Sequence, residues 1–205
     1  SSGFHEPYLM GANRRAGVGA PDYVKYMLSR PVKVQPGSEF VYSTADSILA
    51  GRMVEKAVGK RLSEYLYERF FEPLGQGFPI WENCPQGHPI GGGGMFMTLS
   101  NMLKIGQVYL MDGKWKGQQL VDPAWIKEAT AKQIETPNPG NDIWVCGYGY
   151  QFWRNPYEDS YRADGAYGQL TMVLPKKGLI VAIQCPESGD LNKVKPVMHE
   201  LILSL

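Results

Sequence analysis

Asp164-Gly165-Ala166-Tyr167-Gly168-Gln169-Leu170-Thr171-Met172-Val173-Leu174-Pro175-Lys176-Lys177-Gly178-Leu179-Ile180-Val181-Ala182-Ile183-Gln184 is the stretch that decides the fold. Gln169–Leu174 and Leu179–Gln184 are short apolar runs, each bounded by turn residues, and read as strands. Pro175-Lys176-Lys177-Gly178 joins them as a hairpin longer than a two-residue turn. Ahead of them, Asp164 to Gln169 reads as a turn at the mouth of a strand, where glycines let a ligand lie close to backbone. Gly147–Trp153 reads as a third strand, and Leu191–Leu205 as a helix with Val194, Val197, Met198, Leu201, Ile202 and Leu205 at helical spacing.

Working back from the sheet, the pattern turns helical. Pro21 suits the first turn of a short helix over 22–29, with Tyr23 and Met27 inward. Ile48, Leu49, Met53 and Ala57 mark a helix over 45–58, opened by Ser43 with Asp46 as a capping-box variant and closed by Gly59. Further helices are expected over 62–71, over 100–110, and from Asp122-Pro123 onward. Gly106 inside the 100–110 helix points to close packing against a neighbour, and Gly91–Gly94 to a turn where backbone meets backbone. Helices followed by antiparallel strands give an α+β class, a sheet flanked by helices. Three strands and a terminal helix leave sheet edges uncovered, so the chain reads as one incomplete domain over 1–205. Its helical part spans about 20–135, and its strands and terminal helix about 145–205.

Composition narrows the function. In 205 residues, 43% are hydrophobic and 20% charged, which fits a globular chain and excludes wholesale disorder. A net charge of +1 gives no footing for a nucleic-acid partner, and no apolar run is long enough to span a bilayer. Cys84, Cys146 and Cys185 lie too far apart for a disulfide framework or a zinc site, and read as buried or half-buried side chains. His5, His88 and His199 form no helical pair, so neither a metal nor a cofactor is expected. The glycine run lacks the Lys-Ser/Thr of a phosphate loop. The chain opens Ser1-Ser2-Gly3-Phe4 without a leader pattern, so either a leader was removed or more than a leader is missing. The compartment stays open, bacterial cytoplasm and cell envelope alike.

Tyr42-Ser43-Thr44 stands at the start of the second helix, where a tyrosine can project beside hydroxyls and the positive helix end. Pro36-Gly37-Ser38-Glu39-Phe40-Val41-Tyr42-Ser43-Thr44 resembles the Pro-Gly and Tyr-Ser-Asn elements of the serine β-lactamase and penicillin-binding-protein superfamily. The likeness is to its β-lactamase-related branch, which includes class C enzymes, D-alanyl-D-alanine carboxypeptidases and esterases. Ser1-Ser2-Gly3, Phe70-Phe71-Glu72-Pro73-Leu74-Gly75, Gly92-Gly93-Gly94-Met95-Phe96-Met97-Thr98, Gly147-Tyr148-Gly149-Tyr150 and Gly165-Ala166-Tyr167-Gly168-Gln169 resemble further family segments in the same order.

The resemblance implies a β-lactamase/transpeptidase-like fold and acyl transfer through a serine, with a small-molecule or peptide-like acyl substrate. It makes Tyr42 a proton shuttle and Thr44 a cleft residue. It places Ala166-Tyr167-Gly168 on the third catalytic element as substrate-binding residues and gives Gln169 one oxyanion-hole N–H. No serine here has a lysine three residues on. The nucleophile helix and amino-terminal strands are therefore expected on a complementary segment carrying Ser-x-x-Lys. Ala166 stands where the family has Lys or His, and Asp164 beside it would repel a substrate carboxylate. Two other readings remain beside the hydrolase: a catalytically inactive homologue that binds a ligand or peptide, and an inactive fragment.

Overall fold

The computed structural model describes residues 2–4, 22–166, 168–185 and 191–205, the side chains of 191 and 192 excepted. The chain divides into two compact units, Ser1–Met97 and Thr98–Leu205.

The first unit is mostly helical. Helix α1 (Tyr23–Leu28) starts at Asp22, whose side chain accepts from the Lys25 N–H. Helix α2 (Thr44–Val58) starts at Ser43 and ends at Gly59 in the left-handed conformation that glycine adopts without penalty. Helix α3 (Leu62–Leu66) runs into a π-helical turn, Tyr67–Phe71, which completes the expected 62–71 element. A two-residue ribbon pairs β1 (Ile80–Trp81) with β2 (Met95–Phe96). The core gathers Tyr23, Met27, Ala45, Ile48, Cys84 and Ile90.

The glycine run packs where its sequence suggests. A Cβ on Gly91 would lie 2.3 Å from the Ser47 carbonyl oxygen, and one on Gly92 would lie 2.6 Å from Thr44 Cγ2. Backbone therefore lies against the first turns of α2, a contact no side chain permits. At the other end of α2, the buried Glu55 carboxylate accepts from the Leu62 N–H at 3.0 Å and contacts Arg52 and, at 2.9 Å, His88 Nδ1. One acid thus ties α2 to the start of α3 and to the loop that leads into the glycines.

In the second unit, helix α4 (Leu99–Leu110) is capped by Thr98, and helix α5 (Pro123–Thr130) by Asp122 with Pro123 at its first position. Between them β3 (Lys114–Trp115) pairs with β4 (Gln118–Gln119). A four-stranded antiparallel sheet follows in chain order: β5 (Trp153–Arg154), β6 (Tyr161–Gly165), β7 (Gln169–Leu174) and β8 (Leu179–Gln184). Helix α6 (Leu191–Ser204) closes the unit. Leu170, Met172 and Leu174 pack on one face with Met198 and Ile202 of α6 and with Trp144. The other face receives α4, where a Cβ on Gly106 would lie 2.7 Å from Ile180 Cγ2, so Gly106 is the close-packing site its position implied. The architecture is α+β, an antiparallel sheet flanked by helices.

Two expectations are corrected. Gly147–Trp153 is not a strand: positive φ at Gly147 and Gln151 breaks the extended chain, and only Tyr148 bridges, to Ile134 and Trp153. The place beside β7 belongs instead to β6, Tyr-Arg-Ala-Asp-Gly, whose two charged residues hide the apolar alternation of a strand. Along α6 the buried stripe narrows to Met198 and Ile202, while Val197, Leu201 and Leu205 are exposed. His199 on α6 is half-buried, its Nδ1 2.6 Å from the Tyr157 hydroxyl.

Two predictions follow from this packing. Gly91→Ala should lower unfolding free energy by about 1–3 kcal/mol in urea denaturation. Gly77→Ala, where nothing lies within 4 Å of the new methyl, should stay within about 0.5 kcal/mol of wild type. The second concerns Tyr161, buried between Phe152 and Tyr109. Burial, with Tyr109 and Asp112 adding to it, holds its phenol neutral far above the usual tyrosine range. The unfolded chain releases that proton near pH 10 and the folded chain does not, so stability falls as pH rises past about 10. Thermal melts between pH about 9 and about 11 should show a falling midpoint, with a shallower slope in Tyr161→Phe.

Candidate active site

The candidate residues fall in both units: Tyr42 and Thr44 in the first, Ala166, Gly168 and Gln169 in the second. Tyr167 lies outside the described residues.

In the first unit, Tyr42 immediately precedes the N-cap of α2 and is 48% exposed. The backbone around it is fixed by a small polar cluster. The Ser43 hydroxyl accepts from the Asp46 N–H at 3.2 Å and donates to Asp46 Oδ1 at 3.1 Å. The Ser2 hydroxyl donates to the same Oδ1 at 2.7 Å. Asp46 therefore departs from a capping box: its carboxylate turns to two serine hydroxyls rather than to the N-cap amide. A carboxylate in the first turn is also favoured by the helix dipole. Thr44 is the first residue of α2, half-buried, with its methyl against Gly92.

In the second unit, β6 ends at Gly165 and β7 begins at Gln169, with Gly168 just before it at a φ of 78°. A turn ending on a left-handed glycine is a common way to close such a hairpin. Ala166 is exposed and Gly168 buried. Backbone groups alternate sides along a strand, and two hydrogen bonds fix the phase. The Ser160 carbonyl accepts from Asn155 N–H, toward β5, and the Gly168 carbonyl accepts from Cys185 N–H, beyond β8. Gln169 is therefore turned toward its partner Gly165, inside the sheet, and its N–H is not at an edge. The expected oxyanion role of Gln169 meets this constraint. On the β5 side, β5 pairs only with Tyr161 and Arg162. Beyond them, the alternation turns the N–H of Asp164 to the open side and, one step past the strand, that of Ala166.

The sequence reading missed Arg162. It is 4% exposed, and its Nε donates to Asp164 Oδ2 at 2.7 Å. Asp164 is thus already paired, and its repulsion of a substrate carboxylate is offset by the guanidinium beside it. An arginine and an aspartate two apart inside a strand, on one face, are the signal that could have revealed the pair.

Elsewhere the chemistry is quiet. Burial raises the Cys146 thiol above its ordinary range, and its Sγ donates to the Ile143 carbonyl. Cys84, Cys146 and Cys185 are free thiols. Among the described residues, no group of three or more His, Cys, Asp or Glu comes together as metal ligands, and no helix is long and apolar enough to cross a membrane.

Comparison with solved structures places this geometry. A protein provisionally named a 6-aminohexanoate-dimer hydrolase from Bacillus anthracis matches 99% of the chain at a TM-score of 0.76 and 18% identity, the match covering 56% of that protein. A penicillin-binding protein from Bacillus halodurans matches 87% at 0.68 and 18%, covering 62% of its own length. Simvastatin synthase from Aspergillus terreus matches 92% at 0.61 and 19%, covering 61%. The chain thus spans little more than half the length of these solved relatives. At such identities the likeness is one of fold. A protein of Escherichia coli K12, provisionally named a D-alanyl-D-alanine carboxypeptidase, is 42% identical over 45 residues, 22% of this chain and 10% of that protein. The β-lactamase family profile matches residues 1–193, and the chain belongs to the β-lactamase family.

Proposed function

We propose that the intact protein is a serine hydrolase that transfers an acyl group from an amide, ester or β-lactam carbonyl to water. The observation that carries this reading is Tyr42, half-exposed at a helix start whose backbone is tied down by Asp46, Ser43 and Ser2. A phenol held this way is suited to pass a proton between a nucleophile and a leaving group. In this reading, a serine from a complementary segment carrying Ser-x-x-Lys attacks the carbonyl carbon. Its proton passes by way of the lysine and Tyr42 to the leaving group, and water then releases the acyl group. The N–H of Ala166, on the open side past β6, takes the oxyanion role in place of Gln169.

A second reading, a ligand-binding homologue without turnover, is favoured by the uncharged Ala166 where the family has Lys or His, and the retained Tyr42 counts against it.

Fluorophosphonate labelling followed by denaturing intact-mass spectrometry separates the two. The hydrolase reading expects an adduct on a serine outside this chain in the full-length protein, and none on the 22.9 kDa chain alone. In the labelled enzyme, Tyr42→Phe should cut turnover of an activated ester by about 10²-fold or more. Full-length protein that takes no label and turns over no ester supports the binding reading, and an undiminished Tyr42→Phe rate removes the tyrosine from the proton path.

A further inference from the structure

The guanidinium of Arg162 has more partners than a stabilising ion pair needs. Its Nη1 donates to the carbonyls of Trp144 at 3.2 Å and Arg154 at 3.0 Å, and to Asn155 Oδ1 at 2.8 Å. Its Nε holds Asp164. The rings of Trp144 and Trp153 lie 5.9 and 5.7 Å from the guanidinium carbon. Giving its carbonyl to Arg162 leaves Asn155 with a buried Nδ2 that has no hydrogen-bond partner among the described residues. Buried ion pairs contribute little net stability, because desolvation offsets their attraction. The acceptors meet the needs of a buried charge, but net stability does not explain why a charge is buried here at all.

Its effect on the sheet does. β5 covers β6 only at Tyr161 and Arg162, so from Ala163 onward β6 has β7 as its one neighbour among the described residues. This strand end finishes in Gly165, which has no side chain to pack, and strand ends of that kind open readily. Asp164 is the residue there whose side chain reaches back into the interior. It lies two residues from Arg162 and so on the same face. The two-pronged fork of an arginine, anchored on three carbonyl oxygens, gives Asp164 a fixed point that a flexible ammonium could not.

We propose that Arg162, acting through Asp164, is a positioning pair that sets the aim of the edge amides of β6 at Asp164 and Ala166. Its consequence for turnover rests on the acyl-transfer reading above. Its consequence for the backbone does not.

The test has two arms. On the chain itself, amide hydrogen exchange is followed at Ala163, Gly165 and Gln169, which face across β6 and β7, and at Leu170, Met172 and Leu174, which face β8, as a reference. Asp164→Ala and Arg162→Lys should speed exchange at the first set by at least tenfold and leave the reference within about twofold. Asp164→Asn, which keeps an acceptor oxygen, should fall between. Equal acceleration of both sets would overturn the proposal in favour of a uniform loss of stability. In the full-length protein, kinetics are normalised to fluorophosphonate-reactive enzyme. Asp164→Ala should lower kcat at least tenfold with KM within about threefold, and Asp164→Asn should recover part of it. Unchanged kcat per labelled site would overturn the positioning role. A wild-type protein that neither labels nor turns over would overturn the acyl-transfer reading alone, and the exchange arm would still decide the pair.

Discussion

A guanidinium taken out of water must be surrounded by acceptors, and in the second unit that requirement organises everything near Arg162. Trp144 offers both a carbonyl and a ring, β5 offers the Arg154 carbonyl, and Asn155 offers its side-chain oxygen. These groups come from a loop and a two-residue strand, and the hydrogen bonds to Arg162 tie them together beside the core contact of Trp144. Trp144 in turn meets Tyr157 and His199 edge to face, and Lys195 lies over its ring. Helix α6 is thereby joined to the same assembly through aromatic and cationic contacts as well as through Met198 and Ile202. The sheet is short at its β5 end, and polar geometry does there what strand pairing does at the other end.

The first unit solves its packing by the opposite means. Glycine removes side chains so that one backbone can press against another, at Gly91 on Ser47 and at Gly92 on Thr44. Such contacts carry no charge and few hydrogen bonds, yet they allow little lateral freedom, because the neighbours are main-chain atoms. Two carboxylates then lock the ends of α2, Asp46 at its start and Glu55 near its finish. Tyr42 sits just before the first of these locks. The backbone beside Tyr42 is held there by the Asp46 carboxylate and its two serine partners.

Much of this was legible in the chain. The β7–β8 hairpin, helices α2 and α5 with their caps, helix α4, the intimate packing at Gly106 and the role of Gly91 follow from local rules about turns, caps and missing side chains. Those rules act over a few residues, which is why they survive without tertiary context. The failures have one cause. Strand β6 was hidden because Arg162 and Asp164 satisfy each other rather than the solvent, a fact that spacing alone does not carry. The segment at 147–153 looked extended because its aromatic residues suggest a strand, while the left-handed backbone at Gly147 and Gln151 answers to contacts with residues 129–134. For the candidate site, the motif at Tyr42 supplies a proposal from sequence alone, whereas the turn of the Gln169 amide into the sheet needed the register of β6, β7 and β8. The anionic character assigned to Asp164 needed its partner.

The sheet of the second unit has each strand beside its neighbour in sequence. That order bears on how the unit is made. Consecutive hairpins close small loops, so the entropy lost in pairing them is modest and their assembly is fast. The contacts of α4 with β7 and β8 reach across some sixty residues and must await the strands. During synthesis, β5 to β8 can pair before Leu191–Ser204 exists, with Leu170, Met172 and Leu174 bare on the face that α6 will cover. For that interval the nascent unit carries an apolar sheet face open to the cell, and its safe passage depends on the prompt arrival of one amphipathic helix.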